Sequence, residues 1–296
     1  MPRSPSQFPS FASVADVGTR LAAAGYLPDA QIATTVFLAD RLGKPLLVEG
    51  PAGTGKTELA KALAASTGSE LIRLQCYEGL DEARALYEWN YKKQLLRIQA
   101  TNPDDLDWGS THDEIFTEEF LLTRPLLTAI RRAEPTVLLI DEVDKTDVEV
   151  EGLLLEVLSD FQVTIPELGT IAATQRPYVV LTSNASRELS EALKRRCLYL
   201  HLDYPDAARE REILHAQVPG LDDRIAEQLV ATVGRLRDLE LKKAPSIAES
   251  VDWARTLIAL EIRDLDEKAI GDTLGVVLKH ASDQERAVKE LKLGRA

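Results

Sequence analysis

The chain has 296 residues and a formal net charge of −13, with 45% hydrophobic and 5% aromatic residues. That length suits one large α/β domain with a smaller companion, and the acidic balance argues against a main task of gripping nucleic acid, which calls for a basic stripe. No apolar run approaches bilayer-spanning length, while Cys76 and Cys197, lacking CxxC spacing, and four scattered histidines speak against a disulfide framework or a zinc site and fit a reducing cytoplasm.

Residues 1–12 begin MPRSPSQFPSF, Pro/Ser-rich without an apolar core, and predict a disordered tail instead of a signal peptide. Ser13 to Ala24 has modest helical periodicity. Ala30 to Leu42 has a clearer one, with Ile32, Val36, Phe37 and Leu42 on one stripe and Gly43 and Pro45 as stop signals. Pro45 to Val48 then reads as a buried strand, and Glu58 to Ala65 as a strong helix.

Between them stands Gly50-Pro51-Ala52-Gly53-Thr54-Gly55-Lys56-Thr57, the pattern G-x-x-x-x-G-K-[ST] in its strand–loop–helix context. Glycines let such a loop fold into a concave nest of N–H groups, and the new helix adds its positive end. Lys56 supplies a mobile charge for β- and γ-phosphates, Thr57 a hydroxyl for Mg²⁺, and Glu58 follows in the first helical turn. The stretch predicts a nucleoside triphosphate site.

Leu71 to Gln75 is the next strand. Residues 81–120 form a long polar and aromatic insertion with a helical piece of its own, and Phe120 to Arg132 reads as helix. Thr136 to Ile140 is an apolar strand ending in Asp141-Glu142. Downstream of a phosphate loop these acids predict a carboxylate that holds Mg²⁺ through water (Asp141) and a group that polarises the attacking water (Glu142). A helix over Val148 to Ser159 precedes strands 161–165 and 170–173 around Glu167-Leu168-Gly169, a hairpin. Tyr178 to Asn184 is a fourth core strand, ending on an amide side chain. Leu189 to Arg196 is a short helix and Leu198 to Leu202 a fifth strand.

After Pro205 only helical patterns remain. Asp222 caps one carrying Ile225, Leu229, Val233 and Leu236. Ser246 and Glu249 form a capping box opening another, and two more cover about 266–280 and 283–291. The expectation is an α/β core over 13–204, a five-stranded parallel sheet sandwiched by helices, and an all-α lid over 205–296.

Taken together, the phosphate loop, the Asp141-Glu142 strand end, Asn184, Arg195-Arg196 and the helical lid resemble the AAA+ ATPases. Within them Tyr26-Leu27-Pro28-Asp29, LLVEGPAGTGKTELAKALA, the insert after the second strand, the hairpin near Glu167 and EALKRRCLYLHLDYPD resemble the MoxR family. CYEGLDEARALYEWNYKKQLLRIQ is similar to the branch associated with carbon monoxide dehydrogenase and related molybdenum hydroxylases.

The resemblance implies ATP and Mg²⁺ as cofactors, a helix-2 insert and a hairpin before the sensor-1 strand. It implies Asn184 as the sensor amide that orients the lytic water, and Gln75 as a polar switch for Glu142. Arg196, with Arg195 as neighbour or substitute, implies an arginine finger for the next subunit of a ring, a hexamer. It further implies a partner with a von Willebrand factor A domain and a client metalloenzyme. A cationic helix C-terminus is the bland alternative for Lys194-Arg195-Arg196.

One departure stands out. Ile247, Ala248 and Glu249 occupy the place of the lid arginine (sensor 2), with Arg255, Lys242 and Lys243 as the nearest cations. A DNA-directed motor, a chelatase motor subunit and a small-molecule kinase are the competing functions. The first lacks an added DNA-binding domain, a basic tail and a GAFTGA loop.

Overall fold

The computed structural model describes residues 11–100, 112 and 114–293. Contacts between Cα atoms divide the chain into two compact units: Met1–Glu49 with Thr57–His201, and Gly50–Lys56 with Leu202–Ala296.

The first unit is built on a parallel sheet. Its strands are β1 (Leu46–Glu49), β2 (Glu70–Gln75), β5 (Thr136–Asp141), β8 (Tyr178–Ser183) and β9 (Leu198–His201), in the order β2-β5-β8-β1-β9. Every residue of β5 and β8 is buried, as strands covered on both faces require, so their sequences are continuous apolar runs. The edge strand β2 alternates instead, burying Ile72 and Leu74 and presenting Arg73 and Gln75 outward. Helices Lys56–Thr67, Pro125–Arg131 and Val148–Asp160 contribute Leu59, Leu63, Leu126, Ile130, Leu154 and Leu158 to the buried set.

The insertion departs from the expected pattern. A short helix, Glu82–Ala85, leads to β3 (Tyr87–Trp89), which pairs antiparallel with β4 (Leu121–Thr123). Helix Tyr91–Ala100 lies between them in sequence. The expected helix from Phe120 to Arg132 is thus split into a 3-10 turn, Glu118–Phe120, a three-residue strand and helix Pro125–Arg131. Leu121 is buried against Trp89, and Pro125 starts the new helix at the position where its missing N–H costs nothing. The predicted hairpin is present as β6 (Gln162–Ile165) and β7 (Gly169–Ala172), with Gly169 at φ +77° in the turn.

Phe11, placed in the expected tail, is fully buried. Its N–H donates to Asp40 Oδ2 at 3.0 Å and its ring lies under the Arg20 guanidinium. Residues 1–10 lie outside the described residues.

In the second unit, helices Ala207–Gln217, Asp223–Arg237, Ile247–Ala259, Glu267–Val277 and Ala281–Glu290 enclose Leu229, Val233, Trp253, Leu257 and Leu274. The first of these carried no apolar stripe in the sequence. Its inward face holds Glu210, buried and satisfied by Arg237 (2.6 and 2.9 Å) and Ser250 Oγ (2.6 Å). The capping box of Ser246 and Glu249 forms as predicted.

Both cysteines are buried and free. Burial pushes the thiols of Cys76 and Cys197 up to about 12, with Asp141, Asp144 and Glu142 adding to the shift at Cys76. Reactivity belongs to the thiolate. Folded protein at pH 8 is therefore expected to consume no maleimide over minutes, and to consume two equivalents once unfolded in guanidinium, as a thiol titration would show.

Candidate functional site

Two constellations stand in the two units, and the phosphate loop is the first. A Cβ on Gly50 would land on the carbonyl oxygen of Leu202, and one on Gly53, at φ +76°, would land on the side chain of Ser246. Only glycine fits at either place. Lys56, nearly buried at the first position of helix Lys56–Thr67, donates from Nζ to the carbonyl oxygens of Gly50 and Pro51, each at 2.7 Å. Thr54 Oγ1 closes the turn onto Pro51 O at 2.9 Å. Ala52 and Gly53 are exposed at the tip. In the second unit Lys243 pairs with Glu249 at 3.2 Å and Arg255 with Asp252 at 3.7 Å.

The second constellation gathers at the C-terminal ends of β2, β5 and β8, where parallel sheets present functional groups. Thr57 Oγ1 donates to Asp141 at 3.1 and 3.3 Å to its two oxygens. Thr182 Oγ1 donates to Asp141 Oδ1 at 2.5 Å and accepts the Glu142 N–H at 2.8 Å, so one hydroxyl of β8 ties both acids to the sheet. Arg73 Nη2 reaches Asp141 Oδ2 at 2.5 Å. Gln75 Nε2 lies 3.2 Å from Glu142 Oε2 and Asn184 Nδ2 3.5 Å from Glu142 Oε1.

Glu142 has φ +57° and Ala185 φ +56°, non-glycine residues in the left-handed region just past the strand ends. Each such residue stores on the order of 1–3 kcal/mol, and such strain clusters where function fixes the backbone. Asp144 holds the second of these turns. Burial opposes its charge, but hydrogen bonds from Ser186 Oγ (2.6 Å), Ser186 N and Asn184 N keep its carboxyl below the usual range.

The structure brings together Thr57, Asp141 and Glu142, singled out from the phosphate loop and the acids after it, with Asn184 and Gln75, which the family resemblance implied. Thr182, Asp144 and Arg73 were not singled out there. Thr182 sits in an apolar run and looks like core, and Arg73 is an ordinary exposed strand residue until the register of β2 on β5 is known. Arg196 stands apart from this cluster. It is exposed at the end of helix Glu191–Arg196, with Nε on Ser159 Oγ at 2.7 Å. Arg195 beside it is exposed, and Glu58 pairs with Lys61 at 2.7 Å.

The donor set at Asp141 suits a hard cation. A carboxylate and a hydroxyl about one hydrogen bond apart offer oxygens only, and Mg²⁺ takes one or two carboxylates together with substrate phosphates.

A profile of the AAA domain, dynein-related subfamily, matches residues 45–197. The chain belongs to this family. The matched residues include strands β1, β2, β5 and β8, the phosphate loop and the acids at the end of β5, and stop just before β9. Two proteins named only as uncharacterized are similar along most of their length. One, from Staphylococcus haemolyticus, is 26% identical over 269 residues, covering 85% of this chain and 91% of that protein. The other, from Staphylococcus aureus, is 27% identical over 269 residues with the same coverage. A crystal structure of a candidate ATPase from Cytophaga hutchinsonii superposes with a TM-score of 0.43 at 19% identity, over 76% of this chain. The chain spans 61% of that structure's length. Among the described residues no helix is long and apolar enough to cross a membrane.

Proposed function

We propose that this AAA-domain protein hydrolyses ATP with Mg²⁺ and uses the cycle to remodel a client protein. The observation that carries the hydrolytic reading is the position of Glu142. Its main chain is locked by Thr182 and its two carboxylate oxygens face the amides of Gln75 and Asn184. The two donors fix where the carboxylate stands, and an oxygen released by either amide is the acceptor for a water proton.

In this reading the N–H groups of residues 50–55 and Lys56 bind the phosphates. The Lys56 ammonium, now on two carbonyl oxygens, would turn to the β- and γ-phosphates. Thr57 and Asp141 would hold Mg²⁺, which neutralises charge developing on the phosphoryl oxygens when bound. Glu142 takes the proton of the attacking water, and Asn184 orients that water. Arg196, exposed at a helix end, is the finger offered to a neighbouring copy in a ring, taken to be a hexamer, with Arg195 beside it.

The remodelling role rests on the MoxR resemblance and on the hairpin β6–β7, whose strands are joined through the exposed Pro166 and Glu167. The client would be a metalloenzyme of the molybdenum hydroxylase kind and the partner a von Willebrand factor A protein. A cytoplasmic setting suits both. Deletion of residues 166–169 is expected to leave basal ATP turnover within about twofold, since loop changes of this kind are tolerated where few buried groups are lost. The same deletion should abolish activation of the client dehydrogenase in cells. Client activation that survives it removes the hairpin from the mechanism.

A further inference from the structure

Arg73 is the cation on Asp141. Its Nη2 lies 2.5 Å from Oδ2 of a carboxylate whose side chain is 3% exposed, while the arginine side chain is 49% exposed. The same Nη2 also donates to Gln75 Oε1. Register explains the reach. Gln75 pairs with Asp141 across β2 and β5, and Arg73 lies two residues earlier on the same face, so its long side chain runs forward along the strand to both groups.

The amide of Gln75 then has only one workable orientation. Guanidinium donates and never accepts, so it must meet Oε1, and the remaining Nε2–H₂ must meet an acceptor. Nε2 meets Glu142 Oε2 at 3.2 Å and the Cys76 carbonyl oxygen at 3.4 Å. A single guanidinium thus stands on the acid suited to a metal and, through one amide, restrains the acid suited to a base.

We propose that Arg73 is a positioning residue that competes with the divalent cation for Asp141 and couples that competition to Glu142. This rests on the ATP–Mg²⁺ reading above. Arg73 on Oδ2 opposes a cation at the same carboxylate, because two positive centres beside one buried acid repel each other with little solvent to screen them. When Arg73 leaves, Gln75 loses the partner that fixes its amide, and Glu142 is freed to meet water. Metal loading and release of the base become one event. The exposed, single-sided setting of Arg73 on an edge strand gives it room to swing into solvent.

The test measures binding of a fluorescent N-methylanthraniloyl-ATP to the full chain during titration with MgCl₂ from an EDTA-treated start. Wild type, Arg73→Met and Arg73→Lys are compared. Arg73→Met is expected to lower the Mg²⁺ midpoint about three- to tenfold, the scale of a half-exposed charge pair after solvent screening. Arg73→Lys should fall between, because it keeps the positive charge but carries it as a compact, strongly hydrated ammonium in place of the planar guanidinium. It also serves where Arg73→Met does not fold. An unchanged midpoint in a variant that still binds nucleotide overturns the proposal, since a merely structural arginine would leave it in place. A raised midpoint also overturns it. A wild-type chain that binds no nucleotide at any Mg²⁺ concentration brings down the ATP reading itself, and this proposal with it.

Discussion

Glu142→Gln is expected to bind ATP with near-normal affinity and to hydrolyse it about 10²–10⁴-fold more slowly, the range for loss of a positioned general base. The amide keeps the size of the carboxyl, and the main-chain bond from Glu142 N to Thr182 Oγ1 does not involve the side chain, so the left-handed turn at φ +57° should survive. What disappears is the basic oxygen between Gln75 and Asn184. Phosphate release under single-turnover conditions, set beside nucleotide affinity, separates the two effects. Turnover within tenfold of wild type would take the base role away from Glu142. Tagged Glu142→Gln purified with ATP from its own cells should also retain its partner. A molybdenum hydroxylase subunit or a von Willebrand factor A protein among the captured chains supports client maturation, whereas replication or recombination proteins would favour a DNA-directed motor.

The second large effect is expected at Arg196. Arg196→Ala should lose about 10³–10⁵ in turnover, as arginine fingers do in related NTPases, without loss of nucleotide affinity. Stability should move little, because the side chain is exposed and gives up only bonds to Ser159 Oγ and Ala192 O. The decisive form of the experiment mixes two inactive proteins. Glu142→Gln retains the finger and Arg196→Ala retains the base, so a mixed ring contains some interfaces with both. Activity should reappear on mixing. If it does not, while both variants assemble, Arg196 does not serve a neighbour's site and the cationic helix end is only a helix end.

These expectations draw on features of very different origin. The phosphate loop was legible from residues alone because its chemistry is local. The spacing of the glycines to Lys56 and Thr57 is a property of one turn and the helix it opens, whereas the close approach of Gly50 to Leu202 and of Gly53 to Ser246 came only with the fold. Strands β5 and β8 were legible because burial on both faces leaves an uninterrupted apolar run, and the acids after Ile140 mark where such a run reaches a sheet end. The capping box at Ser246 is likewise a four-residue signal.

Tertiary structure decided what depends on partners distant in sequence. Strand order β2-β5-β8-β1-β9 follows from crossovers that no local pattern encodes. The ribbon of Tyr87–Trp89 with Leu121–Thr123 is too short for any periodicity to show, and exists because Leu121 finds Trp89 across the pair. Helix Ala207–Gln217 hid because its inward face carries Glu210, whose burial makes sense only once Arg237 and Ser250 stand beside it. Phe11 reads as part of a Pro/Ser-rich tail until Asp40 and Arg20 receive it. Arg73 is the sharpest instance. On β2 it is one exposed charge among many, and only the pairing of Gln75 with Asp141 places its guanidinium on both. Chemistry carried by neighbours along the chain is written in the sequence, and chemistry carried by neighbours across a sheet waits for the sheet to form.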